Sequence, residues 1–371
     1  MAEAGVRPGW PARPGSSDSL FATAGWLRAM RSRLGDELVT LTVPDRVALL
    51  ASVQRSPKPG EFFDLHHVCV SEAPTLPLTD AARAARAALH PPDPPQWTPN
   101  LVVMLPGYEC VPVGPAAADP VLLGRLVDAA VAHAAGEGLR AVAVLYTRPG
   151  APLAAVLADR GFLALPLSRT WDLVVPEDRA PGYPASLPRK RRAEAARELH
   201  QLEAAGVALR HLDPAEATSG PVLGTLAALR GQLVRKYRGG SDEAAERARL
   251  ESLVHDVAGG EPQVFVAEVD GTTVGFALFA AYGDEWHCLC VGYDYRDPRS
   301  RLAYFGTAFY AAVPAAAKAG VRRLGYGQGS AHAKRSRGCT GTPLTGWIHT
   351  DDPALRAAVR ASAAVTELLP G

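Results

Sequence analysis

The chain has 371 residues, enough for two domains, and its 47% hydrophobic content is that of a globular protein. No apolar run approaches the roughly 20 residues needed to cross a bilayer. With 39 Lys and Arg against 38 Asp and Glu, the net charge of +1 excludes a global attraction to nucleic acid or membrane, so any RNA contact must use a local patch.

Residues 1–19 are rich in Pro, Gly and Ser, lack a charged-then-apolar export pattern, and are expected to be disordered. The expected compartment is the cytoplasm. Ser19 to Leu34 reads as a capped helix carrying Leu20, Trp26, Leu27 and Met30. Glu37–Val43 and Arg46–Val53 read as strands joined at Pro44 and Asp45, and Phe62–Val70 as a further strand. The apolar run Leu101–Leu105 is a strand, Pro120–Ala135 a helix, Arg140–Tyr146 a strand, Pro152–Arg160 a short helix and Thr170–Val175 a strand.

Prolines 181, 184 and 188 mark a boundary, followed by a charged helix that Gly206 stops. The order then repeats. Pro221–Tyr237 and Glu243–Ala258 are helices, and Gln263–Val269 and Thr273–Ala280 are strands around the hairpin turn Asp270-Gly271. Trp286–Val291 is a strand, Tyr304–Ala319 a helix, and Arg323–Tyr326 and Leu344–His349 are strands. The repetition is one of element order, with no alignable letters. The expected fold is α/β, an α+β mixed sheet in each of two domains. The expected boundaries are 20–180 for the first domain, 181–207 for a linker and basic helix, and 208–371 for the second domain.

The five cysteines (69, 110, 288, 290 and 339) form no Cys-x-x-Cys pair. Cys288 and Cys290 alternate on a strand and are expected on one face as buried thiols; no metal site is expected. No P-loop, no Gly-x-Gly-x-x-Gly, no Gly-x-Ser-x-Gly and no His-Glu-x-x-His occurs.

The residues that point to chemistry cluster late in the chain. After the strand at 323–326, Gly327, Lys334, Arg337 and Gly338 set two cations among glycines. Such a loop is either a solvated basic turn or a clamp for an anionic or carbonyl-bearing substrate. His287, on a strand, is either a core histidine or a base that takes a proton from an attacking amine. Tyr304 opens a helix and is a candidate hydroxyl contact, whereas Tyr310, six residues on, faces elsewhere and reads as core. Tyr293 and Asp297, on the preceding loop, are candidate pocket residues. Lys190, Arg191 and Arg192 oppose the dipole of the helix they open, a small cost of roughly 0.3–1 kcal/mol that Glu194 and Glu198 can offset. They are either a solvated face or a phosphate contact.

This pattern resembles the GNAT superfamily of acyltransferases. The helix from Leu187 to Val207, together with Tyr304, Phe305, Tyr310, Tyr326, Gly327, Lys334 and Arg337 to Cys339, is similar to Fem-type proteins, in which two GNAT domains occur in tandem. The resemblance covers about residues 20–360. It implies two tandem GNAT-like domains joined by a charged helix. It also implies transfer of an amino acid from aminoacyl-tRNA to an amine of a peptide or small molecule, with an acceptor cleft in the first domain where Glu109 would bind the amine. One feature departs from acetyl-CoA-using members, whose glycine-rich loop binds pyrophosphate with backbone N–H groups. Residues 293–304 and 107–116 lack that glycine spacing, and Pro298 removes a donor. The expectation is an N-acyltransferase without a tightly bound cofactor, its donor aminoacyl-tRNA or, alternatively, acyl-CoA. An inactive GNAT pair acting as a binding module is the second alternative. No membrane or DNA partner is expected.

Overall fold

The computed structural model describes residues 4–10, 19–31, 37–70, 80, 84–85, 88, 91–106, 109–176 and 182–366. The chain divides into two compact units, Met1–Thr170 with Thr342–Gly371, and Trp171–Gly341.

In the first unit, β1 (Gly5–Pro8), β2 (Glu37–Val43) and β3 (Val47–Gln54) form an antiparallel set, continued by β4 (Asn100–Val103). β5 (Val142–Thr147) joins β4 in parallel, and β12 (Thr340–His349) pairs antiparallel with β5. Helices α1 (Ala24–Met30), α2 (Leu65–Cys69), α3 (Pro120–Gly136) and α4 (Pro152–Asp159) accompany them. The alternating residues Leu41, Leu49, Leu101 and Val144 make one core with Leu123, Leu126 and Leu157 from the helices.

Three expectations are corrected here. Gly5–Pro8, placed in a disordered stretch, is a strand because Thr40 and its neighbours offer it a ladder; residues 11–18 lie outside the described residues. Phe62–Val70 is not a strand. Asp64 accepts the N–H of His67 at 2.7 Å and caps the short helix α2 instead. The single helix from 19 to 34 is a 3₁₀ turn at Leu20–Ala22 followed by α1, which Thr23 caps; residues 32–34 lie outside the described residues.

The second unit begins within β6 (Leu163–Val174), whose last four residues belong to it. It continues through α5 (Arg189–Ala204), β7 (Val207–Leu212), α6 (Gly220–Arg238), α7 (Glu243–Ser252), β8 (Gln263–Val269), β9 (Thr272–Tyr282) and β10 (Glu285–Tyr293). β11 (Arg323–Gly325) and α9 (Ala331–Ser336) complete it, after a helical run from Ala303 whose last part is α8 (Ala312–Lys318). The strand order is the end of β6, β11, β10, β9, β8, β7, with only β10 and β11 parallel. Asp270 and Gly271, both at positive φ, form the expected hairpin turn between β8 and β9. Pro314 has no N–H for the carbonyl of Tyr310, and the turn before it, Gly306–Ala311, is wound as a π-helix.

The domain boundaries differ from those expected. α5 is not a linker, since Ala195 and Leu202 lie in the second core with Phe265, Phe279, Trp286, Phe309 and Leu324. Residues 342–371 return to the first unit, because β12 pairs with β5 and Leu344 and Ile348 are buried there. α10 (Pro353–Thr366) ends the described chain and contacts α2.

Candidate active site

β10 and β11 pair only through Glu285–His287 and Arg323–Gly325. Beyond Gly325 the chain stays with β6: Tyr326 N–H donates to Trp171 O at 2.8 Å, and Trp171 N–H donates to Gly327 O at 3.0 Å. β10 meanwhile runs on to Tyr293, pairing only with β9. A wedge therefore opens between two parallel strands, leaving one backbone edge of β10 without a strand partner among the described residues. A bulge at Cys288–Cys290 lies at the start of this open stretch. The extra residue breaks the alternation: Cys288 lies opposite Phe279 and packs on the core, whereas Cys290 lies opposite Leu278. The two thiols thus do not share a face, contrary to the expectation from simple period two. Burial pushes the Cys288 thiol up to about 12.

On the face of the sheet away from Trp286, Leu324 and Leu173, the register sets His287, Gly325 and Asp172 in one row on three adjacent strands. Gly325 leaves a notch: a Cβ there would stand 3.0 Å from His287 Nδ1 and 3.6 Å from Asp172 Oδ1. His287 Nε2 lies 3.3 Å from Glu285 Oε2. Arg323 bridges Asp172 at 3.0 Å and Glu285 at 2.6 Å. Burial raises the Glu285 carboxyl, but hydrogen bonds from His287 and Arg323 outweigh it and hold it at about 2. Asp172 escaped sequence reasoning, because only the β6–β11–β10 register brings it beside His287.

Neither Lys334 nor Arg337 is solvated; Lys334 lies on α9 and Arg337 caps its C-terminal end. Lys334, 4% exposed on α9, donates from Nζ to the carbonyls of Tyr326 (2.7 Å), Gly327 (3.1 Å) and Gln328 (2.8 Å). These carbonyls follow the point where β11 ends; the ammonium serves those of Tyr326 and Gln328 in place of ladder partners and shares that of Gly327 with the Trp171 N–H. Burial pushes Lys334 down to about 8. Arg337, 3% exposed, donates Nε to Tyr310 Oη at 3.0 Å, Nη1 to Ser336 Oγ at 2.6 Å and Nη2 to the Glu198 carboxylate, and it lies over the Phe305 ring. Tyr310 in turn donates to Glu198. Neither cation is available as the free clamp expected. Gly327 (φ +61) and Gly338 (φ +88) turn the backbone around them, and a Cβ on Gly338 would meet Leu187 at 3.0 Å.

Tyr293 and Tyr304 come together edge to face at 5.9 Å. Tyr293 is buried and its hydroxyl has no hydrogen-bond partner among the described residues. Burial drives both phenols well above their ordinary value. Asp297 does not reach a pocket: it accepts the Arg299 N–H at 2.8 Å and pairs with the Arg299 guanidinium. Its turn is the one that lacks the glycine spacing expected of a pyrophosphate loop, and backbone N–H groups there are already used. Tyr295 N–H donates to Gln232, Arg296 N–H to Asp294, and Ser300 N–H to Asp297 O.

Glu109 lies in the first unit, buried rather than exposed, accepting from Ser19 Oγ with Arg148 at 3.5 Å. Gly107 lies outside the described residues. Lys190 and Arg192 are exposed at the start of α5, and Arg191 pairs with Glu194 at 2.8 Å as the charge pattern anticipated. A separate cleft of the second unit is lined by Arg210, Glu216, Thr225, Glu268 and Thr273, with Arg210 already paired to both glutamates. Among the described residues no group of His, Cys, Asp and Glu is arranged to hold a metal ion, and no helix is long and apolar enough to cross a membrane.

Residues 189–335 match the acetyltransferase (GNAT) domain family. No curated protein is recognisably similar in sequence. Among solved structures, FemX is similar with a TM-score of 0.57 at 11% identity, covering 90% of this chain and 93% of that one. A conserved protein of unknown function from Bacteroides thetaiotaomicron gives 0.52 at 12% identity, with 91% of each chain covered. The C-terminal domain of a putative lysylphosphatidylglycerol synthetase from Agrobacterium fabrum gives 0.50 at 16% identity, covering 73% of this chain and 83% of that one. At these identities the likeness is one of fold, and that fold is two tandem GNAT-like domains.

Proposed function

From a chain whose residues 189–335 are a GNAT domain, within a tandem GNAT-like fold similar to that of FemX, we infer an N-acyltransferase that joins an aminoacyl group, carried on tRNA, to the amine of a small molecule or peptide. The observation that carries the choice of donor is the turn after β10. Its N–H groups are satisfied by Asp294, Asp297 and Gln232, so they are not free to receive a CoA pyrophosphate.

In this reading the open edge of β10 receives the activated carbonyl, with backbone N–H groups aimed at its oxygen. The amine lies by the Gly325 notch, its ammonium form held by the Asp172 carboxylate. His287 takes one proton from the ammonium, freeing the nitrogen lone pair to attack; the C–N bond forms, the ester C–O bond breaks, and a second proton passes from nitrogen to the ribose oxygen, which leaves as the hydroxyl. Lys334 and Arg337 act at one remove, fixing the backbone that bounds the wedge. The family's acetyltransferase description favours a second reading, acyl-CoA as donor at the same edge.

Two measurements separate these. Acetyl-CoA at a hundredfold excess over a real dissociation constant would stabilise the protein by about 2.7 kcal/mol, so the melting temperature should stay put if the first reading holds. Radiolabelled amino acid should instead pass from charged tRNA to an amine in a mixed panel. A CoA-dependent rise in melting temperature with no transfer from tRNA would decide for the second reading.

A further inference from the structure

Of the large apolar side chains that stand exposed among the described residues, two are tyrosines close to one another: Tyr237, 73% exposed at the end of α6, and Tyr295, 42% exposed just past β10. Lys236 lies between them, its Nζ 4.1 Å from the centre of the Tyr295 ring and 5.6 Å from that of Tyr237. Arg235, Arg296 and Arg301 are exposed in the same two segments. Segments 235–237 and 294–301 together hold Arg235, Lys236, Arg296, Arg299 and Arg301 against Asp294 and Asp297, a local excess of about three positive charges in a chain of net +1. The Tyr295 N–H bond to Gln232 ties the two segments together, at the end of the open strand.

We propose that this surface binds the unpaired 3′ end of an RNA, with Tyr237 and Tyr295 as stacking platforms for successive bases and Lys236, Arg235 and Arg301 meeting the phosphates between them. Exposed rings interleaved with cations are what sequence-tolerant single-strand binding requires, because every base offers a π-face and every linkage a negative charge. A paired duplex hides its base faces and offers the rings nothing. An anionic bilayer would want aliphatic side chains to bury, and these two segments expose none. The inference rests on the aminoacyl-tRNA reading above and adds where the donor's terminal strand lies: beside the β10 edge that would receive its ester.

The test uses the full chain and a short fluorescein-labelled oligoribonucleotide ending in CCA, followed by anisotropy over a salt series. Wild type should bind it, and Tyr237→Ala and Tyr295→Ala should each weaken binding about 5- to 150-fold with an unchanged melting temperature. Lys236→Gln should flatten the slope of log affinity against log salt by roughly 0.7, the value for one phosphate contact on a single strand. No binding by wild type, equal binding by both tyrosine variants, or equally good competition by duplex RNA or by phosphatidylglycerol vesicles overturns the proposal. The reaction is scored separately. Tyrosine-dependent binding with no amino acid transferred keeps this surface and removes the donor reading; transfer unaltered in both tyrosine variants does the reverse.

Discussion

The Lys334 ammonium has three protons and three carbonyl oxygens around it, so its hydrogen-bonding capacity is spent inside the protein. Lys334→Met would leave the carbonyls of Tyr326 and Gln328 without this donor, while Gly327 O keeps the Trp171 N–H, and should cost about 3 kcal/mol in chemical denaturation. The pH dependence has a definite sign. Burial holds the folded-state value near 8, while the unfolded chain keeps the ordinary 10.5, so between these limits the unfolded state binds more protons and wild type gains stability as pH rises. The variant lacks this group. The margin of wild type over Lys334→Met should therefore widen by about 1–3 kcal/mol across that window, the carbonyls opposing part of the shift. A constant or shrinking margin would show that the site does not penalise the charge.

At the scale of elements, the second unit is organised by one separation of strands and by the groups that repair it. β11 leaves β10 after Gly325, α9 supplies Lys334 to the abandoned carbonyls, and Arg337 fastens the next residues to α5 through Glu198. Glu198→Gln or Arg337→Met alone would strand a buried charge and should cost the lower part of roughly 3–5 kcal/mol, as Glu198 keeps some solvent contact. The double variant should cost clearly less than the sum, by urea denaturation of all four proteins. Strict additivity would mean that the pair does not couple α5 to the wedge. Local chemistry made much of this unit legible in sequence: the Asp270-Gly271 turn, the stop at Gly206 and the capped helices depend on neighbours in the chain. What was not legible is non-local. Arg337 and Glu198 are 139 residues apart, so the arginine read as a free clamp. The bulge that parts Cys288 from Cys290 has no signature in an otherwise alternating strand, and Asp172 joins His287 only through a three-strand register. Phe62–Val70 is apolar enough for a strand, and one capping carboxylate, Asp64, decides for a helix.

At the scale of the whole molecule, element order alone gave two consecutive domains, whereas the last strand and helix belong with the first unit. β12 lies against β5 in the register Trp347 to Val144 and His349 to Val142, and Trp347 Nε1 donates to Thr147 Oγ1 at 2.7 Å. Thr350 reaches the Arg140 carbonyl at 2.7 Å, Ser362 bonds the Cys69 carbonyl, and Leu355 and Val359 are buried. Removing residues 342–371 would thus strip the first unit of a strand beside β5 and expose Val142, Val144 and their neighbours, while leaving Trp171–Gly341 with its own core. A chain ending at Gly341 should lose protection in residues 19–170 during limited trypsin digestion and keep a resistant fragment from the later half. If the early half stayed as resistant as in the full chain, the terminal segment would not be part of its fold, and the simpler division at 181–207 would stand. Loss of resistance confined to the later half would also contradict the assignment, because every contact named for β12 and α10 lies in the first unit.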